Sequence, residues 1–249
     1  MTNQPASRDL NAAREQFRTL LLSEDRDACV RFAVEGLSDS RFSIPELYED
    51  ILGPCLAESE VCDIGDMACI WHEHVRSGII RTVIENCWPA VSRAAARVEP
   101  KHAAVLVFCP EKEYHELGAR MVADFFTLSG WKTGFAGANT PREQIRAAIV
   151  RERPAIVAVS VSDFYNLVEA EKAITRIRSL LADKGLSQVR ILAGGGAFTG
   201  NPDGWRAIGA DGLLHTFDDI RRLTATKHAE DPAGAQAQAP GAPVEGSAP

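Results

Sequence analysis

Nowhere in the 249 residues does an apolar run approach the ~20 that a membrane-spanning helix needs. The opening Met1-Thr2-Asn3-Gln4-Pro5 has neither the basic block nor the apolar block of a signal peptide. Together these absences predict a cytoplasmic protein. Basic residues are not in excess either: 27 Lys and Arg stand against 34 Asp and Glu, for a net charge of −7. Affinity for nucleic-acid phosphate comes mostly from clustered cations, so this balance speaks against direct, sequence-independent DNA binding. The six cysteines include no C-x-x-C pair and form no short secreted framework, which predicts reduced, mostly buried thiols. No nucleophile stands with a base in a recognisable constellation, and no helix-turn-helix is evident. The expectation is a protein that is not an enzyme.

What is present is material for a sizeable core. Apolar residues make up 45% and charged residues 24% of the chain, which excludes a collagenous, coiled-coil or wholly disordered protein. At ordinary domain sizes this length suggests two domains.

The pattern along the chain divides it. Residues 1–8 are polar and read as a flexible N-terminus. From 9 to 97 the periodicity is helical throughout, with Phe17, Leu20 and Leu21, then Cys29, Val30, Phe32, Ala33 and Leu37, spaced three and four apart. Ser43 followed by Glu46 forms a capping box, and a long helix or broken pair runs from about Glu60 to Cys87, stopping before Pro89. Cys62 and Cys69, seven apart, would share one helix face. This is the pattern of a helical bundle.

Past Pro100 the character changes. Ala103–Phe108 is a continuous apolar run of the kind that forms a buried parallel strand. Further strands are predicted at Trp131–Phe135, Ala155–Val159, Val189–Ala193 and Gly212–Leu214. Helices intervene: one closing at Gly130, one opened by a Thr140-Pro141-Arg142-Glu143 capping box, one over about Asp163–Lys184, a short one over Pro202–Ile208, and a last one opened by Thr216-x-x-Asp219. Residues 101–227 therefore predict an α/β domain with a doubly wound five-stranded parallel sheet of Rossmann or flavodoxin type. Residues 229–249, mostly Ala, Gly, Pro and Gln, read as a disordered tail.

Ligands of such sheets bind outside the carboxyl ends of the strands. Three loops there carry chemistry: Glu113-x-His115-x-x-Gly118 after the first strand, Ser160-Val161-Ser162 after the third, and Gly194-Gly195-Gly196 after the fourth. An imidazole nitrogen is a good transition-metal donor, and a carboxylate two residues away can hold the other ring nitrogen.

This triple spacing resembles the cobalamin-binding domain pattern Asp-x-His-x-x-Gly, Ser-x-Leu, Gly-Gly. The resemblance implies His115 as the lower axial ligand of cobalt and Glu113 as its orienting carboxylate. It implies Gly118 as the point of corrin approach, with Ser160, Ser162, Gly194, Gly195 and Gly196 as the slot for the nucleotide tail. Two positions depart from the pattern: Glu113 stands for Asp, and Ser162 for Leu. In light-sensing relatives of that family a Trp, followed ten residues later by Glu-His, covers the upper ligand. Here Glu73-His74 resembles the second part, while Trp71 lies directly before His72. Trp71 and His74 are thus candidates for the upper face, with ordinary bundle residues as the alternative. The upper ligand suggested is a small one, water or hydroxide, or His74 itself.

The stretch Cys109–Gly118 and the following Met121–Phe126 are also similar to a narrower group, the cobalamin-binding antirepressors called AerR or PpaA. That resemblance implies a light-responsive regulator of photosynthesis genes that binds a DNA-binding repressor of the CrtJ/PpsR type and lifts its repression. Hydroxocobalamin or adenosylcobalamin is the implied cofactor. Two alternatives stay open: a corrinoid methyl carrier of a methyltransferase system, and a haem-binding sensor on the same fold.

Overall fold

A computed structural model describes residues 9–59, 67–201 and 203–225. The expectations placed on residues 1–8, on Cys62 and the start of the long helix, on Pro202 and on the tail lie outside these residues.

The first part is helical. Helices α1 (Leu10–Leu22) and α2 (Arg26–Ser38) each begin on an Asp whose carboxylate accepts a first-turn N–H: Asp9 from Ala12 and Asp25 from Ala28, both at 2.9 Å. The short α3 (Ile44–Glu46) opens on the capping box predicted at Ser43 and Glu46. It passes without a break into a π-helical turn, Leu47–Leu52, and then α4 (Gly53–Ser59). Widened turns of this kind often sit at functional sites. This one buries Leu47, Tyr48, Ile51 and Leu52.

Helix α5 (Cys69–Ala95) does not stop before Pro89 but carries it inside. An internal proline removes one backbone hydrogen bond and crowds the preceding turn, at a cost of about 3 kcal/mol. Cys87 and Val91, on either side of it, are both buried in the core, and that anchorage keeps the helix going.

Five strands follow, alternating with helices: β1 (Ala104–Phe108), α6 (Leu117–Leu128), β2 (Lys132–Gly137), α7 (Arg142–Glu152), β3 (Ile156–Ser160), α8 (Leu167–Asp183), β4 (Arg190–Gly194), α9 (Gly204–Ala207), β5 (Gly212–Leu214) and α10 (Phe217–Ala225). All pairs are parallel and the order is β2-β1-β3-β4-β5. The predicted doubly wound α/β sheet is therefore what forms, in flavodoxin-like order. β3 lies in the middle and is buried at all five positions, as its unbroken apolar run requires.

Two capping expectations came out differently. Thr216 and Asp219 make theirs: the Thr216 N–H donates to Asp219 Oδ2 at 2.9 Å, and the Asp219 N–H to Thr216 Oγ1 at 3.2 Å. Thr140 and Glu143 do not. The Thr140 hydroxyl instead donates to the Gly137 carbonyl at 2.9 Å, and α7 starts after Pro141 with no side-chain cap. A hydroxyl held by the strand end it follows is not available to the helix.

One face of the sheet shares its core with the helical part. Phe17, Leu47, Ile80 and Val83 belong to the same apolar cluster as Val105, Phe126 and Ile156. A second cluster, with Val157, Val159, Ile174 and Ile177, covers the other face. A buried polar contact crosses the first junction. The Tyr48 hydroxyl donates across it to Asp124 Oδ2 at 3.0 Å, and within α6 Arg120 Nη1 donates to Asp124 Oδ1 at 2.5 Å. The Arg120 guanidinium lies over Trp88 of α5 and Phe135 of β2, at 5.7 and 5.8 Å from the ring centres.

Cys29, Cys55, Cys87 and Cys109 are buried thiols outside any disulfide. Cys69 departs from the expectation of reduced cysteines: it is disulfide-bonded. No C-x-x-C spacing in the sequence announces that bond. Among the described residues, no helix is long and apolar enough to cross a membrane.

Candidate functional site

Because β1 pairs with β2 on one side and β3 on the other, the loops leaving β1 and β3 part in opposite directions. The crevice between them is where this topology holds ligands. A cavity of about 610 Å³ opens there, within the usual size of a cofactor pocket. His115 and Gly118 line it from the β1–α6 loop, Ser160 and Ser162 from the end of β3, and Gly194, Gly195 and Gly196 from the end of β4. Residues far apart in the chain thus meet at one rim.

Glu113 stands behind this rim with no exposed surface. Its Oε1 accepts from both the backbone N–H and the Nδ1 of His115, at 2.9 and 2.8 Å. Its Oε2 accepts from the backbone N–H groups of Ser162 and Asp163 at 2.9 and 3.0 Å, and from the Asn166 amide at 3.2 Å. Burial alone would raise this carboxyl. The hydrogen bonds from His115, Asp163 and Asn166 overcome burial and bring it down to about 2. An ionised carboxylate fixes the tautomer: Nδ1 carries the proton and Nε2 carries the lone pair a metal needs. The Glu113 side chain thus reaches both the His115 loop and the loop after β3.

The loop itself is pinned. The Lys112 N–H donates to Asn139 Oδ1 at 2.9 Å, and the Asn139 N–H returns to the Glu113 carbonyl at 2.8 Å. The Cys109 thiol, pushed up to about 12 by burial, stays protonated and lies 3.7 Å from the His115 carbonyl oxygen.

The glycines differ in what requires them. Gly195 has φ +107°, and a Cβ there would stand 2.3 Å from the Val161 carbonyl oxygen. Its missing side chain is needed first by the fold, to let the ends of β3 and β4 close on each other. Gly118 has nothing within 4 Å of where its Cβ would be. That open space on the cavity wall is room for a ligand.

Trp71 and His74 are not brought to this cavity. Trp71 is 70% exposed, and His74 faces a separate shallow depression beside Glu24 and Asp25. Their neighbours on α5 face the cavity instead: Glu73, Ser77 and Arg81. One helical turn repeats in 3.6 residues, so adjacent residues point well apart, and the sequence does not say which face of α5 turns to the sheet. Also unforeseen are Tyr48, Glu49 and Asp50 from the π-helical turn and His215 and Thr216 after β5. The Thr216–Asp219 box was the one legible sign that a fixed loop stands there. Glu49 Oε1 accepts the Phe217 N–H at 2.6 Å and closes that side.

The residues present suit a corrinoid: an imidazole whose Nδ1 is held by a buried carboxylate, an open glycine face, and a polar slot between β3 and β4. Among the described residues, no cluster of three His, Cys, Asp or Glu side chains could hold a metal ion unaided.

Comparison with known proteins agrees. Residues 103–222, which include all five strands, match the B12 binding domain family. The chain is 30% identical over 98 residues to the HTH-type transcriptional repressor CarA of Myxococcus xanthus, covering 39% of this chain and 32% of that protein. It is 24% identical over 183 residues to the HTH-type transcriptional repressor CarH of the same organism, covering 71% and 58%. The chain thus matches from about 32% to 58% of the length of these relatives. Among solved structures, the Methanosarcina barkeri monomethylamine corrinoid protein superposes with a TM-score of 0.68 at 12% identity, over 86% of this chain and 97% of that one. It shares the fold.

Proposed function

We propose that this protein is a cobalamin-binding transcriptional regulator of the antirepressor kind, with His115 Nε2 as the donor that would hold cobalt. The observation that carries the reading is the Glu113–His115 pair: a buried carboxylate that fixes the imidazole tautomer at the edge of a cavity at the switch point of the sheet. When bound, the corrinoid would supply a light-absorbing metal centre that can exchange a ligand. The protein's own residues do the rest. Glu113 keeps the proton on Nδ1, Gly118 admits the ring, Ser160 and Ser162 offer hydroxyls to the tail, and the helical part closes the opposite side through Glu73, Ser77 and Arg81.

Regulation is supported by the two repressors matched and by the junction the cavity occupies. Helix α5 and the π-helical turn both line it while packing on the sheet, so a change of ligand there biases how the two parts sit. The net charge of −7 fits a protein that reaches DNA through a partner. We take that partner to be a repressor of the CrtJ/PpsR type, relieved when the loaded protein binds it in response to light.

The test is to purify the protein with hydroxocobalamin, adenosylcobalamin or haemin and record absorption spectra before and after illumination, beside His115→Ala. Retention of a corrinoid whose spectrum changes in the variant is the expected result. No retention, or an unchanged spectrum, overturns His115 ligation, and selective retention of haemin favours the haem sensor. A pull-down with the repressor in light and darkness, with and without cobalamin, tests the partner. Absence of binding in all four conditions overturns antirepression.

A further inference from the structure

We infer that Arg81 and Glu116 form a clasp that ties helix α5 to the loop carrying His115 and governs how long a ligand stays in the cavity. The inference rests on the corrinoid reading for its ligand and on geometry for the rest. Glu116 follows His115 directly and lines the same cavity, as does Arg81 from the opposite wall. Arg81 Nη1 donates to Glu116 Oε1 at 2.5 Å, and the backbone N–H of Ala138 donates to Glu116 Oε2 at 2.6 Å. One carboxylate thus joins α5, the motif loop and the loop after β2.

The two partners are unequally held. At Gly137, with φ +83°, a Cβ would stand 2.5 Å from Glu116 Oε2, so the carboxylate is seated on bare backbone and has one place to be. The Glu116 side chain is 17% exposed and that of Arg81 49%. Glu116 is the fixed post and Arg81 the part that lets go. Two other polar ties between the helical part and the sheet region, Tyr48–Asp124 and Glu49–Phe217, attach to α6 and to the start of α10. The Arg81 tie attaches beside the residue that would hold the metal. A flat, wide ligand entering between α5 and the His115 loop must part this pair and is retained when it re-forms. A half-exposed ion pair is weakened by salt, which gives the clasp a signature that packing alone lacks.

The experiment compares wild type, Arg81→Met, Glu116→Gln, the double variant and Arg81→Lys. Each is loaded with hydroxocobalamin, and release is followed by ultrafiltration and absorbance at low and high sodium chloride. Each single neutral variant is expected to release the corrinoid about threefold faster at low salt, the double no faster than either single, and Arg81→Lys to lie close to wild type. Salt should speed release from wild type and leave Arg81→Met unchanged. In parallel, hydrogen exchange of the unloaded proteins should show faster exchange in α5 for Arg81→Met, with α1 unchanged. Additive effects in the double variant, or release and α5 exchange equal to wild type, overturn the clasp. If wild type retains no hydroxocobalamin, the corrinoid reading fails and so does the residence-time half of the inference, while the exchange comparison still decides whether the clasp exists.

Discussion

Glu113 Oε1 accepts two hydrogen bonds from the same residue, one from the His115 backbone N–H at 2.9 Å and one from its Nδ1 at 2.8 Å. The main chain and the ring of His115 are thus set by a single oxygen atom. The second oxygen sets the loop after β3, so the metal donor and the tail slot are positioned by one side chain. Glu113→Gln keeps the shape but puts an amide, half donor, where five donors converge. Unfolding free energy should fall by about 2–4 kcal/mol, on the scale of leaving buried donors unpaired, measured by urea denaturation of the unloaded protein.

The same carboxyl makes stability depend on pH. Its folded value of about 2 lies below the ordinary 4.5. Its contribution is therefore complete above about pH 4.5 and is lost as the pH falls from there towards 2. Linkage puts the full effect at about 3 kcal/mol. Wild type should lose stability over that window more steeply than Glu113→Gln, and parallel urea midpoints for the two from pH 6 to pH 3 would contradict the assignment.

Gly118→Ala separates folding from binding. Nothing lies within 4 Å of the new Cβ, and Gly118 sits in α6. Removing a helical glycine should stabilise the unloaded protein by about 0.5–1 kcal/mol. The same methyl group enters the cavity and should weaken corrinoid uptake. A variant with a raised Tm and undiminished uptake would move the ligand away from this face.

Gly195→Ala should behave in the opposite way. At φ +107°, with the Val161 carbonyl oxygen 2.3 Å from the new Cβ, the substitution strains the backbone and pushes β3 from β4. A loss of about 2–3 kcal/mol is expected with or without ligand, read as a lower Tm in both states.

Tyr48→Phe removes one of the two hydrogen bonds given to Asp124, a carboxyl that burial already pushes up. About 1–2 kcal/mol of stability should be lost. Because Tyr48 also lines the cavity, the loss should shrink when ligand fills the space beside it. Calorimetry on loaded and unloaded protein would show whether it does.

Much of this architecture is written locally. The apolar run Ala103–Phe108, the five-fold alternation of strand and helix, and the boxes at Ser43–Glu46 and Thr216–Asp219 depend on residues within a few positions of each other, so periodicity and capping chemistry reveal them. The Glu113-x-His115-x-x-Gly118 spacing is legible for the same reason. What makes Glu113 effective is not: its partners at Ser162, Asp163 and Asn166 are about fifty residues away, and only the closing of β1 on β3 brings them within reach.

The helical part shows the limit most plainly. Its composition says that α5 is a helix but not which turn of it faces the sheet, since both faces of a helix packed between a core and a cavity carry mixed residues. Trp71 and His74 look like lid residues in the sequence, yet the seating of Val83, Ile84 and Cys87 in the shared core rotates Glu73, Ser77 and Arg81 inward instead. The sheet, the glycine run and the motif histidine can be read from the chain alone, because each is a local pattern. Tertiary packing alone decided what covers the cavity, because the rotation of a helix about its axis is set by the surface it lands on.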